Sequence, residues 1–262
     1  MITDTHAHLD ALDESYSIDD YLSTATEYGV QRMVAIGGLP EGNRFALECA
    51  ERYPLHIRAA IGYDRDYAGK LYDRDALLMD AKKETCVAIG ETGLDYHYTA
   101  DTADEQKVLF QDMLSIAAAC RKAVVIHSRE ADRDTLEILG RHAASGCVPQ
   151  TQLGILHCFT GSINFARQLV ELGYLISFSG ILTFRNADDL RHVARSIPED
   201  FLLVETDAPY LAPVPLRGNP NQPAYVKHVL ECLAECRGWT LDYAARLTSE
   251  NASRVFNWPL PA

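Results

Sequence analysis

Val87-Ala-Ile-Gly90-Glu91-Thr-Gly93-Leu-Asp95 decides the fold. The run is apolar without alternation and too short for a core helix, which reads as a strand buried on both faces, the form found in parallel sheets. Its apolar part, Val87 to Gly90, ends on the carboxylate of Glu91, and Gly90 and Gly93 let the backbone turn tightly beside it. The same arrangement recurs along the chain. Met1 to Thr3 leads to His6 and His8, Ala123 to Ile126 to His127, Gly154 to Leu156 to His157, and Phe201 to Val204 to Asp207. Each apolar run thus carries a potential metal ligand at its downstream end.

Eight runs read as strands: Ile2 to Thr5, Arg32 to Gly37, Ile57 to Ile61, Val87 to Gly90, Val124 to His127, Gly154 to His157, Leu175 to Phe178 and Leu202 to Glu205. Stretches of helical period separate them, at Ile18 to Tyr28, Arg44 to Tyr53, Arg74 to Lys83, Ala131 to His142, Ser162 to Leu172 and Ala187 to Ser196. Two more, Ala224 to Arg237 and Leu241 to Phe256, follow the last strand. Leu109, Met113, Ile116 and Cys120 stack on one face of a further helix, and Thr102 with Glu105 predicts a capping box at its start. Strands alternating with helices imply parallel pairing with right-handed crossovers. The prediction is an α/β fold, a (β/α)8 TIM barrel, with residues 1–262 forming one domain. An open doubly wound sheet is the rival, but it gathers its site at one switch point, whereas these candidates follow five different strands. Pro209 to Pro223, the longest stretch without pattern, leaves the last strand over the mouth and is expected to shape the pocket.

Length and composition agree. A chain of 262 residues with 47% hydrophobic content suits one barrel. No apolar run approaches the roughly 20 residues of a membrane span, and the amino terminus carries acids and histidines where a secretory leader needs basic and then apolar residues. Seven cysteines without a repeating spacing argue against a disulfide framework. The expected setting is the cytoplasm, with no membrane and no obligate protein partner. Cys232 and Cys236, four apart on a helix, suit packed thiols better than a zinc knuckle. The formal charge of −13 disfavours long-range attraction to nucleic acid, so any phosphate binding must be local.

The candidate site is read from residue chemistry. His6 and His8 are two apart on an extended segment and point to one side, where they can grip one ion together. Asp4 either orients a histidine or braces the backbone. Glu91 can bridge two ions, one held with His6, His8 and Asp207 and the other with His127 and His157. Such a mixed set suits two or more divalent ions, zinc, manganese, iron(II) or magnesium. The chemistry implied is hydrolysis, with Glu91 and Asp207 as the catalytic carboxylates and Asp207 as the proton acceptor. A phosphoester fits best, and an amide or ester carbonyl remains open. Among the other histidines, His142, His192 and His228 fall in helices, His56 precedes a strand, and only His97 is near enough to the mouth to reach it.

Taken in order, Asp4-Thr-His6-Ala-His8-Leu-Asp10, Gly90-Glu-Thr-Gly-Leu-Asp-Tyr96, Gln106 with Phe110, His127-Ser-Arg-Glu-Ala131, His157-Cys-Phe-Thr-Gly161, Glu205-Thr-Asp-Ala-Pro-Tyr-Leu211 and Arg217-Gly218 before Asn221 and Pro223 closely resemble the TatD family of metal-dependent hydrolases, within the amidohydrolase-like barrels. The resemblance spans nearly the whole chain. It implies a TIM barrel, a divalent metal cluster on His6, His8, Glu91, His127, His157 and Asp207, and deoxyribonuclease activity, a 3'-5' exonuclease on single-stranded DNA, with DNA ends or short oligonucleotides as substrate. Two departures stand out. Gly62-Tyr63-Asp64-Arg65 replaces the family's Gly-x-His-Pro, and Asn219-Pro220 replaces its Lys-Arg. The mouth thereby gains a carboxylate and loses two cations, leaving Arg65, Arg129 and Arg217 as candidate substrate contacts. The alternative is a hydrolase of an ester or amide in a small metabolite or an aminoacyl nucleic acid. A barrel kept as an interaction or metal-storage scaffold is a third reading, which the complete ligand set disfavours.

Overall fold

The computed structural model describes residues 1–260. Eight strands follow one another round a single parallel sheet in chain order: β1 (Ile2–Ala7), β2 (Val30–Gly38), β3 (Ile57–Tyr63), β4 (Cys86–Asp95), β5 (Ala123–Arg129), β6 (Gly154–Leu156), β7 (Leu175–Phe178) and β8 (Leu202–Val204). The helices between them are α1 (Ile18–Glu27), α2 (Pro40–Arg52), α3 (Arg74–Ala81), α4 (Ala103–Cys120), α5 (Asp132–Ala144), α6 (Ile163–Leu172) and α7 (Asp188–Ser196), with α8 (Val226–Arg237) and α9 (Leu241–Val255) after β8. This is the (β/α)8 barrel that the runs predict.

The barrel closes just beyond β8. Ala7 bridges Ala208 in parallel, Asp207 N–H donates to His6 O at 2.9 Å, and His8 N–H donates to Ala208 O at 2.8 Å. Below these bonds a side chain completes the seam. The buried Asp4 carboxylate accepts from Thr206 N–H at 2.9 Å, Thr206 Oγ1 at 2.6 Å and His6 N–H at 3.2 Å. Asp4 therefore braces backbone and touches no imidazole ring, which decides between its two expected roles.

Period-two alternation sorts the strand residues into two cores. One face packs on the helices, while Val34, Val125, Ile155, Leu175 and Leu203 point into the barrel and meet Phe256 and Trp258 beyond α9. At the amino-terminal end of the strands the buried Arg32 guanidinium lies 3.6 Å over the Trp258 ring, closing that end with a cation–π stack. The carboxyl-terminal end is left open, where the inward rows continue as Val125 to His127, Ile155 to His157 and Leu203 to Glu205 and Asp207.

Two local expectations are corrected. Glu91 does not end its strand: β4 runs on to Asp95, and its ladder with β5 skips register between Ile89 and Thr92, with a cis peptide at Gly90–Glu91. Thr102 does not cap α4. A 3-10 turn over Ala100–Thr102 precedes that helix, and the Thr102 hydroxyl instead donates to Thr99 O and accepts from Gln106 Nε2. The capping box that does form is Ser17 with Asp20, at the start of α1.

Candidate metal centre

All six candidate ligands meet at the open end of the barrel. His6 Nε2 lies 3.2 Å from His8 Nε2, and both approach Asp207 Oδ1, at 3.6 and 3.7 Å, and Glu91 Oε2, at 3.4 and 3.6 Å. On the other side, Glu91 Oε1 lies 3.3 Å from His127 Nδ1 and 3.2 Å from His157 Nε2, and those two nitrogens are 3.4 Å apart. One carboxylate thus presents one oxygen to each set. The groups His6, His8 and Asp207 and Glu91, His127 and His157 each bring one ligand atom per residue within 4.8 Å of the others, the convergence a divalent ion requires.

Electrostatics point the same way. Burial alone would push the Glu91 carboxyl up, but the charge of His157 and the hydrogen bonds of His127, His157 and His6 outweigh it and hold the group well below the carboxylate range. His157 is the converse case, since burial would lower it and the charge of Glu91, the hydrogen bond to Glu91 and the nearby Glu205 carboxylate raise it well above an ordinary imidazole. Burial, with His157 beside it, pushes His6 down to about 4. Burial pushes Asp207 up to about 8, helped by the charges of Glu205 and Glu91. So dense a set of buried acids and bases is costly without a cation among them. The donor types and the shared carboxylate fit divalent metal.

Two further carboxylates support the rings. Asp95 Oδ2 is 3.0 Å from His127 Nε2, and Glu205 Oε1 is 3.4 Å from His157 Nδ1. Neither was singled out as a site residue from sequence. Both stand in the motifs that carry the resemblance; Glu205 has a further signal, two residues before Asp207 and on the same row as Leu203, whereas the contact of Asp95 with His127 depends on the β4–β5 register.

The centre floors a cleft of about 720 Å³. Arg65 and Arg129 line it. Arg65 Nη1 is 3.5 Å from Glu91 Oε1 and its Nε 3.7 Å from Asp95 Oδ2, so this guanidinium is directed at carboxylates of the centre. The Arg129 guanidinium lies 4.6 Å over the Tyr98 ring at the cleft wall. Arg217 stacks 3.7 Å over Phe184 and is outside the wall. His97 also stays outside, its Nδ1 2.6 Å from Glu130 Oε1. Tyr210 and Leu211, from the loop after β8, line the cleft as that loop's position suggested. Asp64 lines it with Asp10 and Asp66, and burial together with the charge of Glu91 pushes the Asp64 carboxyl up to about 7. Asn219 and Pro220 are exposed and away from the wall.

A parallel eight-stranded barrel carrying this cluster at the carboxyl ends of its strands defines a metal-dependent hydrolase. The model of the family described as TatD related DNase matches residues 3–257, and the chain belongs to that family. It is 41% identical to the uncharacterized metal-dependent hydrolase YcfH of Escherichia coli (strain K12), over 98% of this chain and 96% of the relative. To the uncharacterized metal-dependent hydrolase YabD of Bacillus subtilis (strain 168) it is 38% identical, over 98% and 99%. The crystal structure of YJJV, a TatD homologue from Escherichia coli K12, superposes with a TM-score of 0.88 at 29% identity, covering 98% of each chain.

Proposed function

We propose that this protein is a deoxyribonuclease that cleaves phosphodiester bonds, acting as a 3'-5' exonuclease on single-stranded DNA ends or short oligonucleotides. The observation that carries the reading is Glu91, which offers one oxygen to each of two ligand sets. Ions held by His6, His8, Glu91 and Asp207 and by Glu91, His127 and His157 supply Lewis-acid polarisation and a water of lowered pKa when bound. The chain's residues do the rest. Asp207 Oδ1 stands beside His6 and His8, where its carboxylate can receive the proton of the attacking water. Arg129, stacked on Tyr98, offers guanidinium donors to a phosphate, and Tyr98 and Tyr210 offer ring faces to a terminal base. The family's description and the local character of these cations support DNA as substrate. Among the described residues no helix is long and apolar enough to cross a membrane and all seven cysteines are free, which supports a reducing, cytoplasmic setting.

A second reading rests on one feature. Asp10, Asp64 and Asp66 form an acidic wall that a polyanion would meet, which favours an ester or amide in a smaller molecule. One experiment separates the two: end-labelled single-stranded and duplex DNA, and a generic phosphodiester, are incubated with metal-reconstituted protein and with Asp207→Asn. Stepwise loss from the 3' end, absent in the variant, supports the exonuclease. Turnover of the generic ester with DNA untouched overturns it in favour of a smaller substrate.

A further inference from the structure

Of the two supporting carboxylates, one reaches both ligand sets. Glu205 is fully buried and continues the inward row of Leu203 beneath the centre. Its Oε1 accepts from Cys158 N–H at 2.6 Å and faces His157 Nδ1 at 3.4 Å, while its Oε2 has no hydrogen-bond partner among the described residues. His6 Nδ1 and His157 Nδ1 are also buried without a hydrogen bond among the described residues. The two imidazoles stack with centroids 3.9 Å apart and planes 7° from parallel, and His6, His157 and Glu205 each bring a ligand-type atom within 4.8 Å of the others. Through their Nε2 atoms the same rings belong to different sets, His6 with His8 and Asp207, His157 with Glu91 and His127.

We propose that Glu205 is a shared positioning residue, holding the Nδ1–H sides of His6 and His157 together so that both Nε2 lone pairs face the metal centre and the two ion sites are coupled. The inference rests on the metal-ligand reading above. A ligating imidazole keeps its tautomer and orientation when its other nitrogen donates to a fixed acceptor. His127 has an acceptor of its own in Asp95. Among the described residues His6 and His157 have no such acceptor of their own; the Glu205 carboxylate lies 3.4 Å from His157 Nδ1 and within 4.8 Å of a ligand-type atom of His6, and the Cys158 N–H fixes one of its oxygens. An ion that locks His157 with Nδ1 protonated fixes that carboxylate in the pose that receives His6, so filling one site prepares the other. The remaining possibility for these atoms is that Glu205 itself ligates a further ion.

The test is zinc titration of chelated wild-type, Glu205→Gln and Asp95→Asn proteins by calorimetry, with bound zinc counted by elemental analysis. Nitrogen-15 spectra of the histidine rings are recorded beside it, since a purely structural role would not move tautomer signals. Glu205→Gln should weaken both zinc-binding steps together, by about 10–100-fold, at unchanged stoichiometry, and shift the His6 and His157 tautomers. Asp95→Asn should weaken one step only. Loss of a single step in Glu205→Gln, or loss of one zinc with the other affinities unchanged, overturns the proposal. If that variant fails to fold, the zinc-loaded wild-type spectrum decides: Nδ1–H signals on both His6 and His157 support it, and Nδ1 ligation by either ring overturns it. Failure of the wild type to take up zinc overturns the metal-ligand reading itself, whereas wild-type binding with unaltered Glu205→Gln affinities overturns this inference alone.

Discussion

Replacing Asp4 should separate bracing from charge in the barrel seam. Asp4→Ala removes the acceptor of three buried donors, Thr206 N–H, Thr206 Oγ1 and His6 N–H. An orphaned buried donor costs about 1–3 kcal/mol. The Thr206 hydroxyl escapes part of that cost because it can turn to His6 O, 3.4 Å away. The expected loss is therefore about 3–5 kcal/mol at pH near 6. Asp4→Asn keeps an oxygen for both N–H groups and imitates the protonated acid, so it should lie within about 1 kcal/mol of wild type there. Burial pushes the Asp4 carboxyl up to about 7, from an ordinary 3.8. The folded chain then binds more protons than the unfolded chain between those values, so this group's contribution falls as pH rises through that window. Asp4→Asn lacks the titration and should gain on wild type as pH is raised from about 6 to 8. Denaturant midpoints of the chelated proteins across that range measure both effects. Equal midpoints for Asp4→Ala and wild type at pH near 6, or an Asn–wild-type difference that does not change with pH, would refute the reasoning.

Other consequences follow from the same contacts. Glu91 and Glu205 raise the affinity of the buried His157 for a proton, so ion uptake competes with that proton and apparent affinity should fall as pH falls; binding heats that do not vary between buffers of different ionisation enthalpy would contradict this. His142, buried in α5 with Nδ1 2.7 Å from Tyr174 Oη, is pushed below its usual 6.5 by burial. Its contribution to stability is present above 6.5 and lost as pH drops below it, and His142→Asn should flatten that part of the stability–pH curve. Gly93 has φ +145, and a methyl group there would strike the His127 carbonyl, so Gly93→Ala should cost at least about 2 kcal/mol and weaken the ion site that includes His127; an unchanged melting temperature would remove this close approach from the account.

The barrel was legible because eight apolar runs alternate with amphipathic helices, and buried parallel strands have few other sequence forms. The residues that meet at the mouth were legible because each follows such a run, as His127 follows Val124 to Ile126. Contacts set by register were not. Nothing near Asp95 announces that β4 runs past Glu91 to bring it to His127, and nothing near Asp4 announces a partner at Thr206. Long flexible side chains were the least legible. Arg65 turns to Glu91 and Asp95 and Arg217 to Phe184, choices made by local packing and charge that position in the sequence does not fix.

The central claim is that Glu91 joins two ion sites, and anomalous diffraction from crystals of the zinc-loaded protein tests it most directly. The account predicts two peaks flanking Glu91, one beside His6, His8 and Asp207 and the other beside His127 and His157. A single peak with Glu91 outside its coordination shell, or peaks away from these residues, would contradict it.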